Sequence, residues 1–318
     1  MASDHMKQIL KTILNADLEK GDVAENYENF KDQELTKAML ELSDFKEMFG
    51  ELLAEEDAVP SGDCPSHAKD KTLETIAIPE GVTRIPPNTF DQCGKLREVS
   101  LPESLEEICD MAFSGCMALE RIRIPAGVTS IGPQAFTYCM GLKEIEVDED
   151  NNDYSSVDGV LYDKFGEVLV KYPAGRTGEA VLSEDLMEIG DWAFEWSAVS
   201  KIELPEGVMK IGSRAFSGCI RAEEIIIPET VTRIGDQAFY GCRSLREITI
   251  PDGVMIIERS AFYNCMNLEK VYMPESVASL DSWVFDGCAN LTVYCPEDSY
   301  TWEYCEATGV PHEAWDAF

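Results

Sequence analysis

An interval of 23 residues organises most of this chain and restricts its possible folds more than any other feature. Each unit follows the approximate pattern L-x-x-I-x-I-P-E-G-V-x-x-I-G-x-x-A-F-x-G-C-x-x. Phenylalanine recurs at 90, 113, 136, 194, 216, 239, 262 and 285, and proline recurs at 79, 102, 125, 205, 228, 251 and 274. Cysteine recurs at 93, 116, 139, 219, 242, 265 and 288. One such unit cannot bury its own apolar side, so the repeat predicts a solenoid of stacked units.

The unit that starts at Leu119 shows the local physics. Ile122 and Ile124 are two residues apart and share one face of a short strand. Pro125 ends that strand and opens a turn, after which Val128 and Ile131 supply a second extended piece. The A-F-x-G-C stretch that follows predicts a tight helical turn with its phenylalanine inside.

The units LREVSLPESLEEICDMAFSGCMA and AEEIIIPETVTRIGDQAFYGCRS resemble the BspA-type (Treponema-type) leucine-rich repeats of bacterial and protist proteins almost position for position. This resemblance extends from about Leu73 to Phe318. It implies an α+β repeat solenoid, a right-handed arc of the β/α type with a parallel sheet along its concave side. It also implies protein-binding and adhesion roles, often on cell surfaces, and it names no ligand.

The remaining chain divides into predicted segments. Residues 1–5 are expected to be a cloning remnant, because His5-Met6 is what a common cloning junction encodes. Residues 6–58 carry two apolar helical stripes and predict either a cap on the solenoid or a helical module for oligomerisation or docking. A linker at 59–72 leads into the solenoid of 73–318, and a C-terminal cap is expected at about 295–318.

The array is interrupted once. Leu142 and Val199 are 57 residues apart, which implies 34 inserted residues in one 23-residue interval. Two strands are predicted at 157–162 and 167–172 with a turn between them, so a hairpin insertion is expected at about 148–180. This insertion is either an ordinary decoration of the array or a loop that contributes to recognition.

The charge of the chain excludes several classes of partner. The 60 acidic residues outnumber the 26 basic residues and give a formal net charge of −34. A nucleic-acid binder needs a basic face, and electrostatic binding to a membrane surface needs a basic cluster. The sequence has no run of 18 apolar residues. No signal peptide is visible, so the chain reads as cytoplasmic as it stands, and a cell-surface or secreted location stays open.

The sequence offers no catalytic, metal or cofactor site. Its histidines, His5, His67 and His312, lie outside the body of the array, where a nucleophile would need its base. The run from Asp148 to Asp153 is rich in acids but does not fit a calcium-binding EF-hand, which needs glycine and glutamate at fixed positions. We therefore expect a non-enzymatic protein.

The repeated cysteines predict an architectural role. Single thiols that recur every 23 residues form a line, which cannot close a tetrahedral metal site. Parallel side chains on neighbouring units also disfavour the disulfide torsion. We expect buried, reduced thiols, with Cys295 and Cys305 as the one pair to test for a disulfide.

Two surfaces are candidates for binding. Residues beside the inward isoleucines point outward and form the predicted partner-binding face, which comprises Arg121, Arg123, Glu144, Glu146, Lys201, Glu203, Glu224, Ile226, Glu247, Lys270 and Tyr272. The residue after the turn proline forms a predicted acidic edge, which comprises Glu80, Glu103, Glu184, Glu206, Glu229, Asp252, Glu275 and Glu297. The edge is either a solvated ridge or a docking rail for a basic partner.

These observations favour a non-catalytic protein-binding or adhesion module that uses the solenoid surface. The alternative is a structural scaffold or assembly element in which the helical segment mediates association. A protein partner is expected in the first case, and neither case involves nucleic acid or membrane insertion.

Overall fold

A computed structural model describes Cys64 and residues 71–315. The predicted N-terminal segments at 1–5 and 6–58, and most of the linker at 59–72, lie outside the described residues. The described part is a β-solenoid in which each turn contributes two short strands, numbered here in chain order.

The first strand of each turn is the L-x-x-I-x-I stretch. These strands are β1 (Thr75–Ala77), β3 (Glu98–Ser100), β5 (Arg121–Ile124), β7 (Glu144–Val147), β11 (Thr177–Glu179), β13 (Ala198–Glu203), β15 (Glu224–Ile226), β17 (Glu247–Thr249), β19 (Lys270–Tyr272), β21 (Thr292–Cys295) and β22 (His312–Ala314). They pair in parallel as β1-β3, β5-β7, β11-β13-β15 and β17-β19-β21-β22. The register joins equivalent positions, as in Ile122 with Ile145, and the inward side chains are buried.

The second strand of each turn is the V-x-x-I stretch. These strands are β2 (Arg84–Ile85), β4 (Glu107–Ile108), β6 (Ser130–Ile131), β10 (Val168–Lys171), β12 (Glu188–Ile189), β14 (Lys210–Ile211), β16 (Arg233–Ile234), β18 (Ile256–Ile257) and β20 (Ser279–Leu280), and a hairpin of β8 (Tyr154–Val157) and β9 (Val160–Asp163) precedes β10. They form a three-stranded sheet, β2-β4-β6, and an eight-stranded sheet that runs from β20 to β8. The predicted parallel solenoid of 23-residue repeats is confirmed.

The predicted α+β class, with a helical turn around each phenylalanine, needs correction. The A-F-x-G-C stretches are turns, and the helix among the described residues is α1 (Tyr300–Thr308). The backbone N–H of Phe113 donates to the carbonyl of Ala135 on the next turn of the solenoid at 2.9 Å. Left-handed backbone at Met111 and Gly115, two residues on either side of Phe113, interrupts the local helix. The amides of Phe113 and Gly115 therefore bond to the next turn of the solenoid, and those between and beside them bond locally.

The phenylalanines of the repeat are buried and form two stacks. Phe90, Phe113 and Phe136 follow one another with ring centroids 5.1 and 5.7 Å apart. A second stack runs from Tyr172 through Phe194 to Phe285. The inside position predicted for phenylalanine is observed throughout these stacks.

The interruption between Leu142 and Val199 is smaller than the spacing suggested. The ring of Tyr172 lies 4.6 Å from that of Phe194, and the Tyr172 N–H donates to the Ala193 carbonyl, so Tyr172 takes the place of a core phenylalanine. Strand β10 pairs in parallel with β12 as an ordinary second strand. The 57 residues therefore include a complete turn of divergent sequence, and the true addition is the β8–β9 hairpin.

The prediction of one strand at 157–162 is wrong, because the chain reverses within that range. Asp158 and Gly159 both have left-handed backbone, with φ of 48° and 71°, and they reverse the chain between β8 and β9. Two consecutive positive φ angles are typical of the tight hairpin turn that Asp-Gly favours.

Strand β9 packs against both clusters of buried hydrophobic residues that make up the core. Leu161 packs into the cluster of buried residues that extends from Cys64 to Ile145. Its neighbours Val160 and Tyr162, on the opposite side of the strand, pack into the cluster that extends to Cys305. Because side chains alternate along a strand, one short strand covers both apolar ends that the interruption creates.

The C-terminal end of the array is closed by α1 and β22. Ser299 caps the first turn of α1 by accepting from the Trp302 N–H, and Gly309 ends the helix in left-handed backbone. Tyr304 contacts Phe285 edge to face, with ring centroids 6.4 Å apart, and thus extends the aromatic stack.

A buried charged pair lies at the divergent turn. Lys171 occupies the place of a core alanine, and its Nζ donates to the Trp192 carbonyl at 2.9 Å. Glu195 is also buried and accepts from the Thr137 hydroxyl. Burial lowers the pKa of Lys171 and raises the pKa of Glu195, and the opposite charge of each partner offsets part of both shifts. The pair is therefore mutually dependent.

We predict that Lys171→Ala lowers the free energy of unfolding by about 3 kcal/mol, because Glu195 loses its buried counter-charge. Adding Glu195→Ser, which installs the residue found at the equivalent positions 114 and 217, should restore most of the loss. Urea unfolding followed by circular dichroism measures both variants. A double variant as unstable as the single one would contradict this account.

Candidate binding surfaces

The predicted partner-binding residues all lie on the outward side of the first strands, a surface that we call the first-strand face. Arg121, Arg123, Glu146, Glu203, Glu224, Ile226 and Glu247 are exposed, whereas Glu144, Lys201, Lys270 and Tyr272 are half-buried. The strands place equivalent residues of successive turns side by side, as in Glu247 with Lys270 and Thr249 with Tyr272.

Ion pairs within a strand and between neighbouring turns engage much of the basic charge on this face. The guanidinium of Arg121 lies 3.7 Å from the Glu144 carboxylate. The ammonium of Lys201 lies 3.6 Å from the carboxylate of Glu203 and 3.8 Å from that of Glu224. Exposed pairs of this kind contribute roughly 0–1 kcal/mol each, so they can be exchanged for contacts with a partner at small cost.

The first-strand face also carries a polar groove. Its volume is about 570 Å³, and its lining residues are Glu223, Ser244, Arg246, Glu247, Asn267, Glu269 and Lys270. Two of the predicted residues, Glu247 and Lys270, meet there. The Arg246–Glu269 ion pair, at 3.3 Å, lies in the same groove.

An aromatic cluster at the C-terminal end of this face was only partly predicted. The ring of Tyr272 lies 5.1 Å from that of Tyr294 and 5.1 Å from that of Trp315. Tyr294 is directly paired with Tyr272 in the strand register and continues its outward column. The L-x-x-I-x-I pattern is lost after Leu291, so the periodic signal that marked Tyr272 did not reach Tyr294.

All eight residues of the acidic edge are exposed, and some of them have a structural role. The Glu80 carboxylate accepts from the Glu103 N–H of the next turn at 3.2 Å. The Glu229 carboxylate accepts in the same way from the Asp252 N–H at 3.0 Å. These carboxylates accept hydrogen bonds from backbone amides at the turn. This structural role explains part of the recurrence of acidic residues along the edge without a binding partner.

The acid-rich segment that begins at Asp148 is held by hydrogen bonds. Asn151 is fully buried, and its amide nitrogen donates to the carbonyls of Pro125 and Val128, each at 2.9 Å. Its side-chain oxygen accepts from the N–H groups of Asp153 and Tyr154. The segment thus anchors the hairpin to the preceding turn.

The thiols in the repeated cysteine column form hydrogen bonds between turns. The Cys139 Sγ donates to the Phe113 carbonyl, and the Cys219 Sγ donates to the Phe194 carbonyl, each at 3.1 Å. Burial raises the pKa of both thiols to about 12. Such thiols are protonated at neutral pH and are poor nucleophiles. Cys295 and Cys305, the pair singled out for a disulfide, are both free and buried.

Comparison with known proteins identifies the family. The model for the BspA type leucine-rich repeat region matches residues 66–157 and 176–292 in six copies. The chain belongs to the BspA-type leucine-rich repeat family. The unmatched interval 158–175 contains β9 and β10, where the BspA-type pattern is interrupted. Solenoids of this family are typically non-catalytic.

Solved structures agree with this assignment. A leucine-rich cell surface protein from Faecalibacterium prausnitzii is 33% identical, with a TM-score of 0.64 over 73% of this chain. This chain spans 62% of the length of that protein. The pneumococcal vaccine antigen PcpA is 23% identical and shares the fold, with a TM-score of 0.60 over 77% of this chain and 68% of its own.

A leucine-rich repeat protein from Eubacterium ventriosum also shares the fold, at 23% identity. Its TM-score is 0.55 over 73% of this chain and 77% of its own. No curated protein matches the sequence. Among the described residues, no helix is both long and apolar enough to cross a bilayer.

We predict that the thiols of the native protein, apart from the half-buried Cys288, do not react with Ellman's reagent at about pH 8. They are buried, and burial raises the pKa of thiols such as Cys139 and Cys219 to about 12. Their reaction should appear with the unfolding transition in urea, and intact mass should not change with reductant. Rapid reaction of more than one thiol in the folded protein would contradict the buried column.

Proposed function

We propose that this chain is a non-catalytic protein-binding or adhesion module that binds its partner through the first-strand face. The supporting observation is the contrast between the two sides of the first strands. Inward positions repeat the same few aliphatic residues, whereas outward positions change from turn to turn, as in Arg123, Ile226 and Tyr272. The stacking of the solenoid does not require this outward variety, which leaves it free to specify a partner.

The surface has the composition that such a role needs. Arginine and tyrosine are enriched among residues that dominate protein interfaces. Arg121 and Arg123 lie towards one end of the first-strand face, and the cluster of Tyr272, Tyr294 and Trp315 lies at the other. The Faecalibacterium relative is described as a cell surface protein, and we propose a cell-surface or secreted location for this chain as well.

The test is to screen the purified chain against an array of purified secreted proteins and to measure each captured protein by biolayer interferometry. Arg121→Glu combined with Tyr272→Ala should weaken the affinity at least tenfold, which corresponds to about 1.4 kcal/mol. The matched control is Glu206→Gln combined with Glu275→Gln on the acidic edge, which should leave the affinity within a factor of about two.

Two results would contradict the proposed face. The first is unchanged affinity of the captured protein for the Arg121→Glu and Tyr272→Ala variant. The second is a loss of affinity in the control variant alone, together with a steep decrease of affinity as the salt concentration rises. That result would indicate that the partner binds the acidic edge.

A further inference from the structure

A second surface, formed by the turns that follow the core phenylalanines, carries an exposed apolar cluster. We call it the turn patch, and it consists of Met117, Tyr138, Met140, Trp196 and Ile220. Met117, Met140 and Ile220 are 55%, 43% and 44% exposed, and Tyr138 is 39% exposed. The rings of Tyr138 and Trp196 are 5.1 Å apart, although 58 residues of sequence separate them.

The patch is continuous across the divergent turn of the solenoid. The turn after Tyr172 is short and contains Gly175, which packs directly against the backbone of Met140 to Leu142. Tyr138 and Trp196 therefore meet from either side of it. Trp196 in turn lies on Gly218, where an added Cβ would be 2.8 Å from the indole, and Ile220 follows two residues later.

The backbone under both aromatic residues favours glycine. Tyr138 and Trp196 lie two residues after their core phenylalanines, with φ of 56° and 59°. The equivalent positions at 115, 218, 241 and 287 are all glycine with positive φ. A large side chain in left-handed backbone raises the free energy of the folded state, and such residues are concentrated at functional sites.

Tyr138 and Trp196 cover the short turn, but this role alone does not account for the apolar side chains that stay exposed around them. Tyr138 remains more than a third exposed, and the methionines beside it are more exposed still. Exposed methionine and tyrosine beside a half-buried tryptophan are typical of the centre of a protein interface.

Basic residues border the patch in a chain of strongly acidic composition. The Arg214 guanidinium lies 4.6 Å from the Trp192 ring, on the turn next to Trp196. Arg221 adjoins Ile220 and is exposed. Within the described part of the chain, neither arginine has a carboxylate within ion-pair distance. They are therefore available to carboxylates of a partner.

We propose that the turn patch is a docking site for a protein segment that places apolar side chains against Tyr138 and Trp196 and carboxylates against Arg214 and Arg221. This inference rests on the proposed protein-binding function but uses a different side of the solenoid. The acidic surface elsewhere repels such a segment, so the two arginines set its position.

The test uses a displayed library of random 12-residue peptides selected on the wild-type chain. Enriched peptides should combine aliphatic or aromatic residues with flanking Asp or Glu. Tyr138→Gly with Trp196→Gly should weaken their binding at least tenfold and leave the urea midpoint unchanged or higher, because glycine suits this backbone. Arg214→Glu with Arg221→Glu should also weaken binding and remove its salt dependence.

The matched control is Met187→Ala with Met255→Ala, which removes methionines of similar exposure (38% and 50%) from the second-strand side and should leave peptide binding unchanged. If the glycine variants fold poorly, Tyr138→Gln with Trp196→Asn repeats the test, since Gln92 and Asn264 occupy the same left-handed position.

The proposal is overturned if no peptide prefers the wild-type chain to the Tyr138→Gly and Trp196→Gly variant, or if selected peptides bind both equally. This failure is distinct from failure of the proposed function. Peptides that require Tyr138 and Trp196 support the turn patch even when Arg121→Glu with Tyr272→Ala has no effect on a captured partner. If Arg121→Glu with Tyr272→Ala weakens the binding of a captured partner while no peptide requires Tyr138 and Trp196, the results support the first-strand face and contradict the turn patch.

Discussion

The hydrogen bond between backbone groups of neighbouring turns is the interaction on which this structure depends. It occurs on every side of the solenoid: along the first strands, along the second strands and across the turns that hold the phenylalanines. Each inward side chain therefore lies above its equivalent, and the rings of Phe239 and Phe262 are nearly parallel, with their centroids 4.8 Å apart. Equivalent residues of successive turns therefore make equivalent contacts. The stability of the solenoid is the sum of these similar interfaces between turns.

The same bonding explains what could be predicted from the sequence and what could not. The strand positions, the buried isoleucines and the inward phenylalanines follow from two-residue alternation and a fixed period, which depend only on residue type. The turns around phenylalanine do not, because Met111 and Trp192 adopt left-handed backbone without glycine to mark it. Several amides in these turns bond to the next turn, as that of Trp192 does to the Ser213 carbonyl. A local pattern such as A-F-x-G-C does not reveal a partner 21 or 22 residues away.

The divergent turn was missed for a related reason. Tyr172 replaces phenylalanine, Lys171 replaces alanine and Gly175 comes three residues after the tyrosine, where cysteine is expected, so every marker of the period is absent. What remains is geometry: Tyr172 still stacks on Phe194 and β10 still pairs with β12. The candidate residues of the first-strand face were placed correctly on its outward side because alternation alone decides that question. Their ion pairs and the contact of Tyr272 with Trp315 were not predictable, since both depend on the distance between turns.

The interruption also changes what the solenoid can present. A perfectly regular array would place glycine two residues after each phenylalanine and would leave the turn side flat and featureless. Shortening one turn brings Tyr138 and Trp196 together across it, and the buried Lys171 and Glu195 lie directly beneath. The irregular turn therefore brings together two structural costs, namely buried charge and the left-handed aromatic residues Tyr138, Trp192 and Trp196. Regular turns supply the stability that makes those costs tolerable, and the irregular turn supplies a surface that no repeated unit could form.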